Sequence, residues 1–479
     1  MVVQHDGASG PAAPKTSLDV LGRMPAWLAA LGDGERLRRS LSSALRAAGD
    51  GQLKLLSCEP GRLRFEAGHW SGTYRAVVHD AGVDEPRTVL LRGTDQREPG
   101  PARPPRPGDR HLFGGRAWTT YLPDLGLDLR TEPPEPDLPA MALLADPDSA
   151  RSLLEDGIQR SGPAWTGFRI RSCEPRVLRY KPGRGTVWYT LTYDDDVPRG
   201  RWPDAVVVKV YQGAKGRVSW DALRALWGSP MAQSAVAIAE PIAFLADHNA
   251  LVQRAVAEEE TLKQAIRRAV TDGSSIVRAE LLATVRRAAA GLADLHGCGV
   301  ATGTTRGLAD EVDELRGVAA GLAVRVPDLD AGVEHLLGMI SASAAVNPAD
   351  PPRPAHGSFR PAQALLSRQG LAFIDFDSYC QAEPALDLAL FRTSVRRLAS
   401  GTRDRAALVD VSDEFLAAYR ERGSVSLARL ALWEALALLT DALHCWTKVR
   451  PAELPGAVAA LAAHLGTAMP PAPRRPAEP

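Results

Sequence analysis

Residues 356–377 gather the side chains of this chain best suited to handling phosphate and a metal ion. The stretch opens with a polar turn, HGSFRPAQALL (356–366), that runs into an apolar pair. It continues with a short apolar strand, GLAFIDFDSY (370–379), ending in two carboxylates on either side of Phe376. Residues two apart on a strand face the same way, so Asp375 and Asp377 would converge on one cation. Carboxylate and amide oxygens suit Mg²⁺, which usually takes one or two protein carboxylates together with substrate phosphates. Gln363 would add an amide oxygen. Two acids at a strand end are, taken alone, most often only solvated. His356-Gly357 upstream and Asp387-Leu388-Ala389 downstream favour a site instead.

This block resembles the catalytic loop and metal motif of the aminoglycoside phosphotransferase and choline kinase superfamily, whose members share the protein-kinase-like fold. That loop runs His-Gly-Asp-x-x-x-x-Asn, then a strand, then Ile-Asp-[Phe/Trp]-[Asp/Glu]. His356, Gly357, Ile374, Asp375, Phe376 and Asp377 match it. Leu295-His296 resembles the family's helix-closing Leu-His, and Pro384 with Asp387-Leu388-Ala389 its Asp-Pro-x-x-Asp-Leu-Ala. Two positions depart. Ser358 stands where the family has its catalytic Asp, and Gln363 where it usually has Asn. Gln keeps the amide oxygen, but Ser cannot take a proton near neutral pH as a carboxylate can. General-base help is typically worth roughly 10²–10⁴-fold. Phosphoryl transfer leans mainly on positioning and charge neutralisation, so the change would slow the chemistry without necessarily abolishing it. Asp377 is the nearest substitute base. His356 either braces the loop or shares in the chemistry.

The resemblance implies a nucleotide side as well. Lys209, closing the apolar strand AVVVK, resembles the lysine that contacts nucleotide phosphates. The helix Glu that usually pairs with it is missing, and WDALRALWG (220–228) offers only Asp221. In the turn KPGRG (181–185), Gly183 and Gly185 would let the backbone approach phosphates closely. Residues 251–256 resemble the hinge strand, where the backbone of Gln253 and Ala255 would bond an adenine edge. The implied activity is an ATP-dependent phosphotransferase using ATP and Mg²⁺. Its acceptor would be a hydroxyl of a small molecule or of a peptide Ser/Thr. Ser358 raises a competing reading: a catalytically impaired pseudokinase, serving as a nucleotide-responsive binding or scaffold protein.

The elements that must position these groups follow a repeat. MPAWLAALGDGERLRRSLSSAL (24–45) precedes LKLLSCEPGRLRF (53–65), and LPAMALLADPDSARSLLEDGI (138–158) precedes FRIRSCEPRVLRY (168–180). Each copy reads as a Pro turn, a helix-period stretch and a strand carrying Ser-Cys-Glu-Pro, followed by alternating β-branched and aromatic residues. Arg92 in the first copy stands where Lys209 stands in the second. Beyond 257 the pattern turns helical. The expected fold class is α+β: a bilobal protein-kinase-like fold, with a β-rich N-lobe and a helical C-lobe, preceded by a duplicated N-lobe-like subdomain. Expected segments are a disordered tail (1–17), the duplicated subdomain (18–97), a Pro-rich linker (98–137), the N-lobe (138–257), the helical C-lobe (258–469) and a second tail (470–479). Residues 18–97 offer a possible protein-partner surface.

Composition narrows the remainder. In 479 residues, 57 Lys and Arg balance 57 Asp and Glu, so charge makes no case for nucleic acid or an anionic membrane as partner. The five cysteines are widely spaced and odd in number, which points to a reducing, cytoplasmic setting. The first residues lack a basic-then-apolar signal pattern, and no run of about 18 apolar residues is present for a membrane span.

Overall fold

The two Ser-Cys-Glu-Pro strands each open an antiparallel meander of three strands. In the computed structural model, β1 (Leu53–Glu66) pairs with β2 (His69–Asp80) and β2 with β3 (Arg87–Asp95). Likewise β6 (Ser172–Lys181) pairs with β7 (Arg184–Thr192) and β7 with β8 (Ala205–Tyr211). The structure describes residues 16–47, 53–80, 85–96, 119–131, 138, 140–181, 183–195, 197–198, 200–398 and 405–468. The expected tails lie almost wholly outside these residues. Ser17 belongs to α1 (Ser17–Leu21), capped by the Thr16 hydroxyl.

The chain divides into two compact units that cut it differently from the linear segments above. The first comprises residues 1–133, 311–343 and 438–479, and the second 134–310 and 344–437. In the first unit the sheet order is β1-β2-β3-β5-β4. Strands β4 (Thr119–Leu122) and β5 (Leu127–Thr131) come from the stretch expected as linker, because its far end alternates apolar and polar residues. After the short α2 (Ala26–Ala29), helix α3 (Gly34–Ala47) buries Leu37, Leu41 and Leu45, four residues apart on one face, against β1. Trp70 is fully buried and its indole N–H donates to the Trp446 carbonyl at 2.9 Å. The Trp446 indole in turn donates to the Leu21 carbonyl at 2.9 Å. Asp95 accepts from the Trp70 amide at 2.6 Å and pairs with Arg325. Thus β-sheet residues of 53–131 share a core with parts of α9 (Leu308–Ala323), α10 (Asp328–Val346), α13 (Leu427–Thr447) and α14 (Leu454–Ala468).

The second unit carries the site. Its larger sheet runs β10 (Pro241–Leu245), β11 (Ala250–Arg254), β8, β7, β6, all antiparallel. Strand β8 reads AVVVKVY, and alternate side chains go to opposite faces. Val206, Val208 and Val210 join a core with Leu144 of α4 (Ala140–Ala145) and Leu154 and Ile158 of α5 (Pro147–Gln159). Lys209 and Tyr211 therefore share the other face, near α6 (Lys215–Trp227). Helices α7 (Leu262–Asp272), α8 (Ser275–Gly297), α11 (Ala385–Arg397) and α12 (Arg405–Arg420) follow. Two small sheets frame the segment that carries the motif. One is β12 (Glu260–Thr261), β15 (Ala364–Ser367), β16 (Gly370–Phe373) and β9 (Val236–Ile238). The other is β13 (Thr305–Arg306), β17 (Cys380–Ala382) and β14 (Arg353–Ala355). This β-rich part followed by a helical part is the bilobal α+β plan expected. Buried charges are paired: Glu383 by Arg429 and the Trp433 indole, Glu434 by Arg392. All five cysteines are buried.

Candidate active site

Strand β16 delivers the carboxylates but does not contain them. It ends at Phe373, and the Ile374 amide donates back to the Gln363 carbonyl at 3.0 Å. Asp375 then takes a left-handed backbone (φ 73°), which turns the chain. Asp tolerates that region better than most residues. The two carboxylates do converge, but through this turn rather than through strand alternation.

What they converge on is protein. The Arg184 guanidinium places Nη2 at 2.6 Å from Asp375 and Nη1 at 2.8 Å from Asp377. Lys209 Nζ lies 3.1 Å from Asp375 and 3.4 Å from Asp377. The Tyr211 hydroxyl donates to Asp377 at 2.8 Å and the Ser219 hydroxyl at 3.4 Å. The register explains the meeting: Arg184 sits opposite Tyr211 across β7 and β8, on the face that carries Lys209. Burial works against the Asp375 charge, but Lys209 and Arg184 outweigh it and hold the carboxyl well below the usual carboxylate range. Burial, then the Asp377 charge, pushes the Tyr211 phenol up. Asp377 was the expected substitute base. Lys209, Arg184, Tyr211 and Ser219 are all directed at it. Asp221 pairs with Arg217 at 3.2 Å and takes no part.

The loop before it is braced from below. Asp387, fully buried, accepts from the His356 amide at 2.7 Å, the Phe359 amide at 3.2 Å and His296 Nε2 at 3.2 Å. Desolvation opposes its charge, yet the bond from His296 and the nearby imidazoles hold it ionised and lowered. Gly357 has φ 73°, and a Cβ there would collide with the Ser378 carbonyl oxygen, so glycine is required. His356 is fully buried and bonds through Nε2 to the Ile374 carbonyl at 3.0 Å. That makes it a brace between loop and strand. A carbonyl only accepts, so Nε2 carries the proton and Nδ1 faces the Ser358 hydroxyl at 3.3 Å. Ser358 Oγ also accepts from Gln363 Nε2 at 3.2 Å, while Gln363 Oε1 accepts the Arg360 amide at 2.8 Å.

These donors, as they stand, do not fit a divalent ion. Asp375 and Asp377 already share two cations, and the Gln363 oxygen already serves a backbone amide. Among the described residues no group of three or more His, Cys, Asp or Glu could hold a metal. The nucleotide side is also more committed than its sequence implies. Gly183 (φ 73°) serves the hairpin turn, its carbonyl accepting from the Gln212 amide at 2.9 Å. Gly185 answers to packing, since a Cβ there would collide with Met141. Gln253 is flanked by Val207 and Pro241 within the sheet, and the Ala255 amide donates to the Ala205 carbonyl at 3.1 Å. Sequence reasoning missed Arg184, Tyr211 and Ser219. An arginine between two turn glycines and an aromatic two residues past Lys209 were the available signals.

Residues 228–439 match the model of the phosphotransferase enzyme family. This segment is similar to that family. It contains the whole 356–389 motif on which the superfamily resemblance rests, so that resemblance holds. No curated protein matches the chain in sequence. Similar solved structures include a glucosamine kinase in complex with glucosamine, ADP and inorganic phosphate, 17% identical over 90% of this chain and 99% of that one (TM-score 0.44). A choline/ethanolamine kinase family protein from Mesorhizobium loti is 15% identical over 67% and 95% (TM-score 0.43). A choline kinase from Cryptosporidium parvum Iowa II is 11% identical over 67% and 95% (TM-score 0.46). Among the described residues no helix is long and apolar enough to cross a membrane.

Proposed function

We propose that this protein binds ATP and transfers its terminal phosphoryl group to a hydroxyl of a small molecule or of a peptide Ser/Thr. The carrying observation is the contact of buried Lys209 with Asp375 at 3.1 Å, which joins the β8 lysine to the phosphotransferase-type motif. Lys209 and Arg184 would neutralise phosphate charge, and Asp387 would hold the loop in place. The acceptor O–H attacks the γ-phosphorus as the bond to the β-phosphate bridging oxygen breaks. With no carboxylate at position 358 to receive it, the hydroxyl proton passes to an oxygen of the transferred phosphoryl group or to water. A loose transition state makes that loss a matter of rate, roughly 10²–10⁴-fold.

One observation favours a second reading, a pseudokinase. The Ser358 hydroxyl is held between His356 and Gln363, at 3.3 and 3.2 Å. That arrangement stabilises the loop and offers no base. Under this reading residues 18–97, read as a duplicated subdomain, would be the partner surface. A thermal-shift screen with nucleotides, alone and with candidate acceptors, tests the shared premise. Absence of any protection by nucleotide would sink both readings. Turnover with wild type that Lys209→Met abolishes supports the first. A Ser358→Asp variant that turns over an acceptor on which wild type is silent supports the second.

A further inference from the structure

We propose that Arg184 is the resident cation of the Asp375–Asp377 pair and takes over the work of a divalent metal, so that nucleotide binds here without a metal ion. The inference rests on the nucleotide reading above. A guanidinium is a planar fork that stays charged at any working pH. Here its two arms divide between two carboxylates, Nη2 to Asp375 at 2.6 Å and Nη1 to Asp377 at 2.8 Å, bridging them as a shared ion would. With Lys209 the cluster holds two positive and two negative groups and is formally neutral. The four side chains are between 8% and 28% exposed. A divalent ion entering such a neutral, partly desolvated cluster would bring two uncompensated charges, which is costly.

Arg184 is built into this position. Gly183 turns the hairpin, the register sets Arg184 opposite Tyr211, and the Tyr211 ring lies 5.6 Å from the guanidinium carbon. The same tyrosine's hydroxyl anchors Asp377 at 2.8 Å. The guanidinium Nε is buried and has no acceptor. Two protein cations, Lys209 and Arg184, would then meet the phosphates where one lysine and a metal are implied by the motif.

The test titrates the purified full-length chain with ATP and with ADP, once in EDTA and once in excess Mg²⁺. Wild type is expected to bind equally in both, within about threefold. In R184M, binding in EDTA falls by about tenfold or more, a loss of one decade in Kd, and Mg²⁺ restores it. Mn²⁺ alone, followed by its paramagnetic resonance, binds R184M and not wild type. R184K, which keeps the charge and loses the fork, is run beside it with circular dichroism, in case R184M fails to fold. It is expected to need metal more than wild type does. Wild type that binds nucleotide only with Mg²⁺ overturns the inference and leaves the nucleotide reading standing. So does an R184M protein whose metal demand equals that of wild type. A wild type that binds neither nucleotide in either condition removes the reading and the inference together.

Discussion

At the residue scale, Asp375 ties a backbone turn to a pair of cations. Its left-handed backbone turns it toward Arg184 and Lys209, and those cations hold its carboxyl below the ordinary 3.8 against the opposing effect of burial. A group whose folded value is depressed stabilises the native state above its unfolded value. That contribution is lost as pH falls from about 3.8 toward the lowered value, because the unfolded chain then binds the extra proton. Denaturant titrations across the acid range should therefore show wild type losing stability below about pH 4. Arg184→Met should lose less over the same range, having less of this stabilisation to lose. Equal acid slopes in the two proteins would mean that the pair does not couple to folding. Ser358 illustrates the opposite case. Its identity changes the chemistry the loop offers, while its hydroxyl still fits the bonds around it.

At the element scale, the loop between β14 and β15 is shaped by what lies under it. One Asp387 oxygen accepts the His356 amide and His296, the other the Phe359 amide, and the Tyr419 hydroxyl meets His296 Nδ1 at 2.8 Å. This ties α8, α11 and α12 to one turn of the loop. Asp387→Asn replaces one acceptor oxygen by a donor that faces donors. It is expected to cost about 3 kcal/mol of stability, measured by chemical denaturation, because buried groups lose their partners. A change under about 0.5 kcal/mol would show the brace to be dispensable. The small sheets matter for the same reason: β16 pairs in parallel with β9, and so fixes where the Asp375 turn begins.

At the scale of the whole molecule, the first unit is assembled from three stretches of chain. Residues 1–133 supply its sheet, and 311–343 and 438–479 supply helices to the same core. Removing 1–133 would strip the Trp446 indole of the Leu21 carbonyl and expose apolar faces on the remaining two stretches. A 134–479 fragment is therefore expected to bind a hydrophobic dye and to aggregate on heating, although its boundary matches the repeat. A monodisperse fragment that melts as the full chain does would refute this.

How far the sequence carries can be followed through particular residues. The motif from His356 to Asp377, the lysine of β8, the strand alternation of AVVVK and the structural part of Asp387 were all legible. Each is a short-range pattern, set by backbone geometry or by spacing within one element. The linker around 119–131 was misjudged because two short strands need a partner sheet before they mean anything. Arg184 went unnoticed because its partners lie 191 and 193 residues ahead in the chain. Charge pairing acts through space and leaves no periodic trace. Short-range patterns were therefore written along the chain. Which cation meets Asp375 and Asp377, and which stretches share a core, was decided only when strand register and burial brought distant residues together.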